Sequence, residues 1–367
     1  MSALEIIYVG AALFLTAAAR LDSGVPRLKE NPGPFRRTAL LGLAILLLVV
    51  AGCSRVTLGY NAADFLIERY ADNYLALSSD QMSAWEPKLE AGLARHRRDE
   101  LPYIAAFFDL GFKGARRGFE KTTVNCLLNE FEEVYRRNAR LAAAVTAPLL
   151  TELSQRQIRG LAEKFRKEQA GDVKDDRKGK ARRERKRAEH YIKSVESWVG
   201  PLSQAQRQIV GKVAASMPDA GPAWNAYKEG KRRALIRLLS QGASEARIRQ
   251  FLTDWLADFR DLPPRLQEAR IGMRKSIAAL FLRLDPSFSP KQRSRFAGRL
   301  RDLRDDFLNL QKHPRRASRP CGRAAADARS TTLRPPTPPA AVHCPVRMGA
   351  VSPHGRRGDV LTAPPGR

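Results

Sequence analysis

The residue best placed for covalent chemistry is Cys53. Residues 38–52 read TALLGLAILLLVVAG, preceded by Arg36 and Arg37 and ending on Ala51-Gly52 directly before that cysteine. A basic flank, a short apolar run and small residues at its end make a secretory signal. The run is short of the roughly 20 residues that a bilayer span needs. Small residues let a peptidase draw the backbone into a narrow cleft, and the cysteine supplies a thiolate nucleophile. The second chemical candidate is cationic. Lys174–Arg187 reads KDDRKGKARRERKR and has no large apolar residue. Lys174, Arg177, Lys178, Lys180, Arg182, Arg183, Arg185, Lys186 and Arg187 are its candidate anion-binding side chains. Their partners would be lipid phosphates, other anionic envelope polymers, an acidic protein or nucleic-acid phosphates. The plain alternative is a solvated charged face. Interleaved aromatics are missing and the chain carries an export signal, so no nucleic acid is expected.

Catalytic patterns are not found. Between Cys53 and Gln311 the histidines are His96 and His190. There is no HExxH, CxxC, GxSxG or Walker-type glycine loop. His96 sits in the charged run His96-Arg97-Arg98-Asp99-Glu100-Leu101-Pro102, which reads as a helix end on the surface. Glu130, Glu132 and Glu133 read as the polar face of a helix, and Cys126 as a small buried apolar residue. With four cysteines in 367 residues a disulfide scaffold is excluded. No enzyme, cofactor or metal site is expected.

The elements that carry these groups are helical. Period-two alternation is hard to find, while spacings of three and four recur. Val124, Leu127, Phe131, Val134, Leu141 and Val145 form one stripe, with Asn138 in the missing seam position. Ile248, Leu252, Trp255 and Phe259 form another, and Phe296, Leu300, Leu303, Phe307 and Leu310 a third. Four helix starts share the pattern apolar-Ser-x-x-Gln: Leu77–Gln81, Leu153–Gln157, Leu202–Gln206 and Phe288–Gln292. This is a capping box, in which serine oxygen takes the N3 amide and glutamine reaches back to the N-cap amide. The uneven intervals exclude a strict solenoid repeat. Trp198-Val199-Gly200-Pro201 reads as a helix stop, and Pro148, Pro218, Pro222 and Pro263-Pro264 as breaks or kinks. The predicted fold is all-α: amphipathic helical hairpins in an elongated or bundle-like body, with a basic hairpin tip or frayed helix at 174–187.

Charge is unevenly spread. The net +27 includes about +9 from residues 312–367, where ten of the 23 prolines lie. That segment is too poor in large apolar residues to offset its ordering entropy, so a disordered Pro/Arg-rich tail is expected, with a shifted reading frame as the second hypothesis. Residues 1–35 read as an upstream extension from an early start codon, Val25 being the alternative start, or as an extra apolar segment at Leu4–Ala19.

Val50-Ala51-Gly52-Cys53 resembles the lipobox of bacterial lipoproteins, whose cysteine takes a diacylglycerol thioether. The resemblance implies a signal peptide at 36–52, an acylated (palmitate-bearing) Cys53 and a stable membrane anchor. Ser54, by resemblance to Gram-negative lipoproteins, implies the outer membrane, with the body in the periplasm. The lipobox, then Val56-Thr57-Leu58-Gly59-Tyr60-Asn61, Tyr70-Ala71-Asp72-Asn73-Tyr74, the first Leu-Ser-x-x-Gln, His96–Pro102 and Trp198–Ser203 form an ordered set. Together they look like a family of uncharacterised proteobacterial lipoproteins, a domain of unknown function, over about residues 53–311. That resemblance implies no activity and no catalytic residue. The Leu-Ser-x-x-Gln pieces are also similar to the Leu-Thr-x-x-Gln motif of Spy-type periplasmic chaperones. The expected function is therefore non-enzymatic: a structural or interaction role in the envelope, binding anionic components. The alternative is a chaperone-like binder of unfolded proteins.

Overall fold

The computed structural model describes residues 55–176 and 179–317, with no strand among them. The export signal, Cys53, the upstream extension and the tail beyond residue 317 lie outside the described residues. So do Arg177 and Lys178, together with the side chain of Lys174. No described helix is long and apolar enough to cross a membrane.

The helices in order are α1 Arg55–Asn61, α2 Ala63–Leu75, α3 Ser79–Arg95, α4 Leu101–Arg117, α5 Lys121–Thr151 and α6 Gln155–Asp176. Then come α7 Lys180–Val199, α8 Gln204–Ser216, α9 Gly221–Ser240, α10 Glu245–Thr253, α11 Pro264–Leu284 and α12 Pro290–Asn309. Two π-helical turns, His96–Glu100 and Asp254–Asp258, follow α3 and α10 directly. The predicted all-α class holds.

All four capping boxes form at their predicted serines. Gln81, Gln157, Gln206 and Gln292 each donate a backbone N–H to the serine oxygen three residues earlier, and accept that serine's backbone N–H in return. Their glutamines also do something that single helix starts would not. Gln81 and Gln157 exchange side-chain amide hydrogen bonds at 3.1 and 2.7 Å. Gln206 and Gln292 do the same at 2.9 and 3.0 Å. Each amide also donates to a carbonyl that precedes its partner's helix: Glu152, Ala76, Ser287 and Pro201.

Two modules of the same design result. In the first, the hairpins α2–α3 and α5–α6 meet at their turns, with α2 packed on α6 and α3 on α5. In the second, α7–α8 and α11–α12 meet likewise, with α7 on α12 and α8 on α11. A cation follows the second glutamine by seven residues in both. Lys164 Nζ lies 5.1 Å from the Tyr74 ring, and the Arg299 guanidinium lies 5.4 Å from the Trp198 ring. The uneven intervals had argued only against a strict repeat; the repeat present is one of paired turns.

Helix α5, 31 residues long, joins two cores. Its Val124 and Leu127 pack with α4 and α12, where Phe108 and Phe307 stack with centroids 5.5 Å apart. Its Ala139, Ala143 and Ala147 face α10 and the α2–α3 side. Small residues at every fourth position let helices approach closely. Pro148 does not break this helix, which runs on to Thr151. Pro102 sits in the first turn of α4, directly after the π-helical turn His96–Glu100. The stop at Gly200 is as predicted: α7 ends at Val199 and Gly200 takes φ 91°, a conformation open chiefly to glycine.

Candidate functional site

Of the basic stretch, residues 174–176 end α6 and the part from Lys180 on opens α7, where its charges divide into two faces. Arg183 donates Nε and Nη2 to the Asp219 carboxylate at 3.2 and 2.5 Å. Arg187 Nη1 donates to the carbonyls of Met217 and Pro218 at 3.2 and 2.8 Å. These two arginines, one turn apart, strap α7 to the α8–α9 connection. The hydrogen bond from Arg183 is the main cause that holds the Asp219 carboxyl below its ordinary range. Arg182, Arg185 and Lys186 point outward and are exposed. Lys180 pairs loosely with Glu184 at 3.8 Å, and Arg185 with Glu189 at 4.0 Å. Exposed pairs at such distances stabilise little.

A second feature had no counterpart in the sequence reading. A partly open cavity of about 200 Å³ lies between the hairpins of the first module and α9 and α10. Its lining is mostly aliphatic and aromatic, with Trp85 and Trp255 among the walls. Two polar constellations border it. In one, His96 is buried in its π-helical turn, not on the surface as expected. Its Nε2 meets Asn138 Oδ1 at 2.8 Å and its Nδ1 meets the Tyr60 hydroxyl at 2.9 Å. An amide oxygen only accepts, so Nε2 carries the proton and Nδ1 accepts from Tyr60. Burial lowers the His96 pKa to about 4, with a smaller contribution from the Arg97 charge, so the ring is neutral near pH 7. Burial likewise pushes the Tyr60 hydroxyl up to about 12.

In the other constellation, Arg232 of α9 is only 1% exposed. It pairs through Nη2 with Glu168, and its guanidinium lies 4.9 Å from the Phe165 ring centroid. The Tyr74 hydroxyl donates to the other Glu168 oxygen at 2.9 Å, and its pKa is raised by burial and by that carboxylate. Arg232 Nε and Nη1 are buried without an acceptor among the described residues. Glu130, read as part of a polar face, is buried, whereas Glu132 reaches Arg274 at 3.3 Å.

Among the described residues no group of three His, Cys, Asp or Glu side chains is arranged to hold a metal ion. A family model described as a family of unknown function (DUF6279) matches residues 73–261. No curated protein and no solved structure matches the chain.

Proposed function

We propose that this chain, which belongs to the DUF6279 family of unknown function, is an envelope lipoprotein that works by binding rather than by catalysis. Cys53 would carry the acyl anchor in the outer membrane, with the helical body in the periplasm. The outward face of α7 would dock on anionic envelope material. The observation that supports this reading is the division of labour on α7. Arg183 and Arg187 are committed to the fold, while Arg182, Arg185 and Lys186 are spaced along an exposed face. Cations on one helix face gain affinity together near an anionic surface, by about 1 kcal/mol each.

The test is co-sedimentation of the purified chain with vesicles containing phosphatidylglycerol. The triple variant Arg182→Glu/Arg185→Glu/Lys186→Glu should lose at least about a hundredfold in affinity, and added salt should weaken the wild type. Equal binding by the wild type and the variant would remove α7 from the account.

One observation favours the alternative, a chaperone-like binder of unfolded clients. α1 and α2 present Leu58, Phe65 and Leu66 to solvent, with Phe65 63% exposed. Suppression of client aggregation, lost in Phe65→Ser/Leu66→Ser, would favour that reading over the first.

A further inference from the structure

We propose that α1 and α2 lie on the bilayer, with Leu58, Phe65 and Leu66 seated in the boundary between headgroups and acyl chains and Arg69 reaching the phosphates. The inference rests on the reading that residues 38–53 hold the chain at a membrane. It is independent of the cationic face of α7.

Three observations carry it. The first is the direction of the apolar face. Hydrogen bonds from Ala62 N to Leu58 O (3.2 Å) and from Leu66 N to Ala62 O (3.0 Å) carry the helical ladder from α1 into α2. Tyr60, Ala63, Ala71 and Leu75 are buried on the inward side, while Leu58, Phe65 and Leu66 are 49%, 63% and 43% exposed. At 3.6 residues per turn, those three and the exposed Arg69 share a sector of about 100°. The other large apolar side chains exposed among the described residues, Phe131, Val173 and Ile271, stand singly on α5, α6 and α11. Scattered exposure is ordinary, whereas a clustered apolar patch marks a contact surface. The second observation is chain position. The apolar run 38–52 and Cys53 end immediately before α1. Two extended steps and three helical ones keep the Leu58 Cα within about 12 Å of the Cys53 Cα. Whatever holds Cys53 at a lipid surface therefore holds this face there too. An amphipathic helix on a bilayer sinks its apolar side by about 5–10 Å, a depth of the same order. The third is charge. Arg69 can lay its stem along lipid and keep its guanidinium among phosphates. Asp64 and Glu68 fall outside the apolar sector, and Asp72 stands a turn beyond Arg69, past the cluster. The Glu68 carboxyl is held above its ordinary range by burial and then by Glu86, Asp64 and Glu90, so it faces α3 rather than the lipid side.

The test uses the mature chain extracted from native membranes and reconstituted into phosphatidylcholine vesicles, whose zwitterionic surface offers α7 no net charge. Phe65→Trp adds a reporter at an exposed position, and its emission is read as the difference from the wild type's four tryptophans. Bromine on a lipid chain quenches tryptophan on contact. Acyl-brominated phosphatidylcholine should therefore quench the added emission, and added salt should not relieve it, because the contact is apolar. Ile271→Trp, at an exposed position on α11, should stay unquenched and emit further to the red. Adding Leu58→Ser/Leu66→Ser to Phe65→Trp should reduce the quenching, with circular dichroism reporting that the variants fold. Sedimentation with the vesicles without quenching in Phe65→Trp, or equal quenching in Ile271→Trp, would overturn the inference and leave the anchor standing. Failure to sediment at all would overturn both. A blue shift of Phe65→Trp with unfolded, reduced lysozyme but no quenching by brominated lipid would overturn it in favour of unfolded clients.

Discussion

Gln81 and Gln157 lie 76 positions apart in the sequence, yet each donates its side-chain amide to the other's oxygen, at 3.1 and 2.7 Å. The same residue that closes a capping box on its own helix thereby ties that helix to a second one. Gln206 and Gln292 repeat the arrangement in the second module. Local and tertiary hydrogen bonding are concentrated in one side chain, so these positions couple helix start to module assembly.

That coupling is measurable. Gln81→Ala and Gln157→Ala should each lower the unfolding free energy by about 2 kcal/mol, from a lost cap and a partner amide left short of a bond. The double variant should fall short of the sum by about 1 kcal/mol, because the second change finds the shared bonds already gone. Gln81→Ala with Gln206→Ala, in different modules, should be additive. Equal additivity in both cycles, from denaturant titrations, would show that the exchanged amides contribute nothing beyond capping.

The approach of α3 to α5 depends on Gly92. A Cβ at that position would stand 2.4 Å from Val145 Cγ2, far inside any real contact. Gly92→Ala should destabilise the fold by about 1–3 kcal/mol despite alanine's better helix propensity. Adding Val145→Ala removes the clashing methyl and should recover most of the loss. Failure of that rescue, by thermal unfolding, would mean that the two helices are not seated as described.

His96 gives the fold a pH dependence of definite sign. Burial holds its folded pKa at about 4, below the ordinary histidine value of about 6.5. The unfolded chain therefore binds the proton more readily. The stabilisation is fully present above about pH 6.5 and is lost as pH falls toward about 4, amounting to roughly 3 kcal/mol across the window. Urea midpoints between those limits should show this slope for the wild type and a shallower one for His96→Gln. An unchanged slope in the variant would assign the acid sensitivity to other groups.

Within α7, inward and outward arginines should separate in opposite assays. Arg183→Ala removes the fork on Asp219 and should cost about 1–2 kcal/mol of stability. Arg182→Ala should leave the unfolding midpoint unchanged within error while weakening vesicle binding. Identical behaviour of the two variants in both assays would contradict the two-faced helix.

The capping boxes, the Ile248-Leu252-Trp255 stripe and the stop at Gly200 were legible because each rests on local physics: a serine oxygen within reach, a period near 3.6, a positive φ. What escaped was polar residues on core-facing seams. Trp85, Leu89, Gly92, His96 and Glu100 step by four, three, four and four, and all are buried. The charged neighbours Arg97, Arg98 and Asp99 hid that series. Lys228, Arg232, Leu235 and Leu239 step by four, three and four, and they too are buried. Their charges read as surface because pairing partners such as Glu168 and Asp172 come from another helix. Phe131 failed in the opposite direction. It belongs to an apolar stripe, yet it is 46% exposed, with Phe107 as its ring neighbour at 6.2 Å. The pairing of the glutamines was equally out of reach, since four similar motifs do not say which two meet.

The proposed lipid anchor can be read from the mass of the mature N-terminus. Native wild type and Cys53→Ala would be expressed, the membranes fractionated, and the N-terminal peptides weighed. An acylated N-terminus at Cys53 is expected in the membrane fraction, absent from the variant. An unprocessed N-terminus at Met1 in a soluble fraction would contradict it, and would return the cationic face of α7 to partners such as nucleic acid.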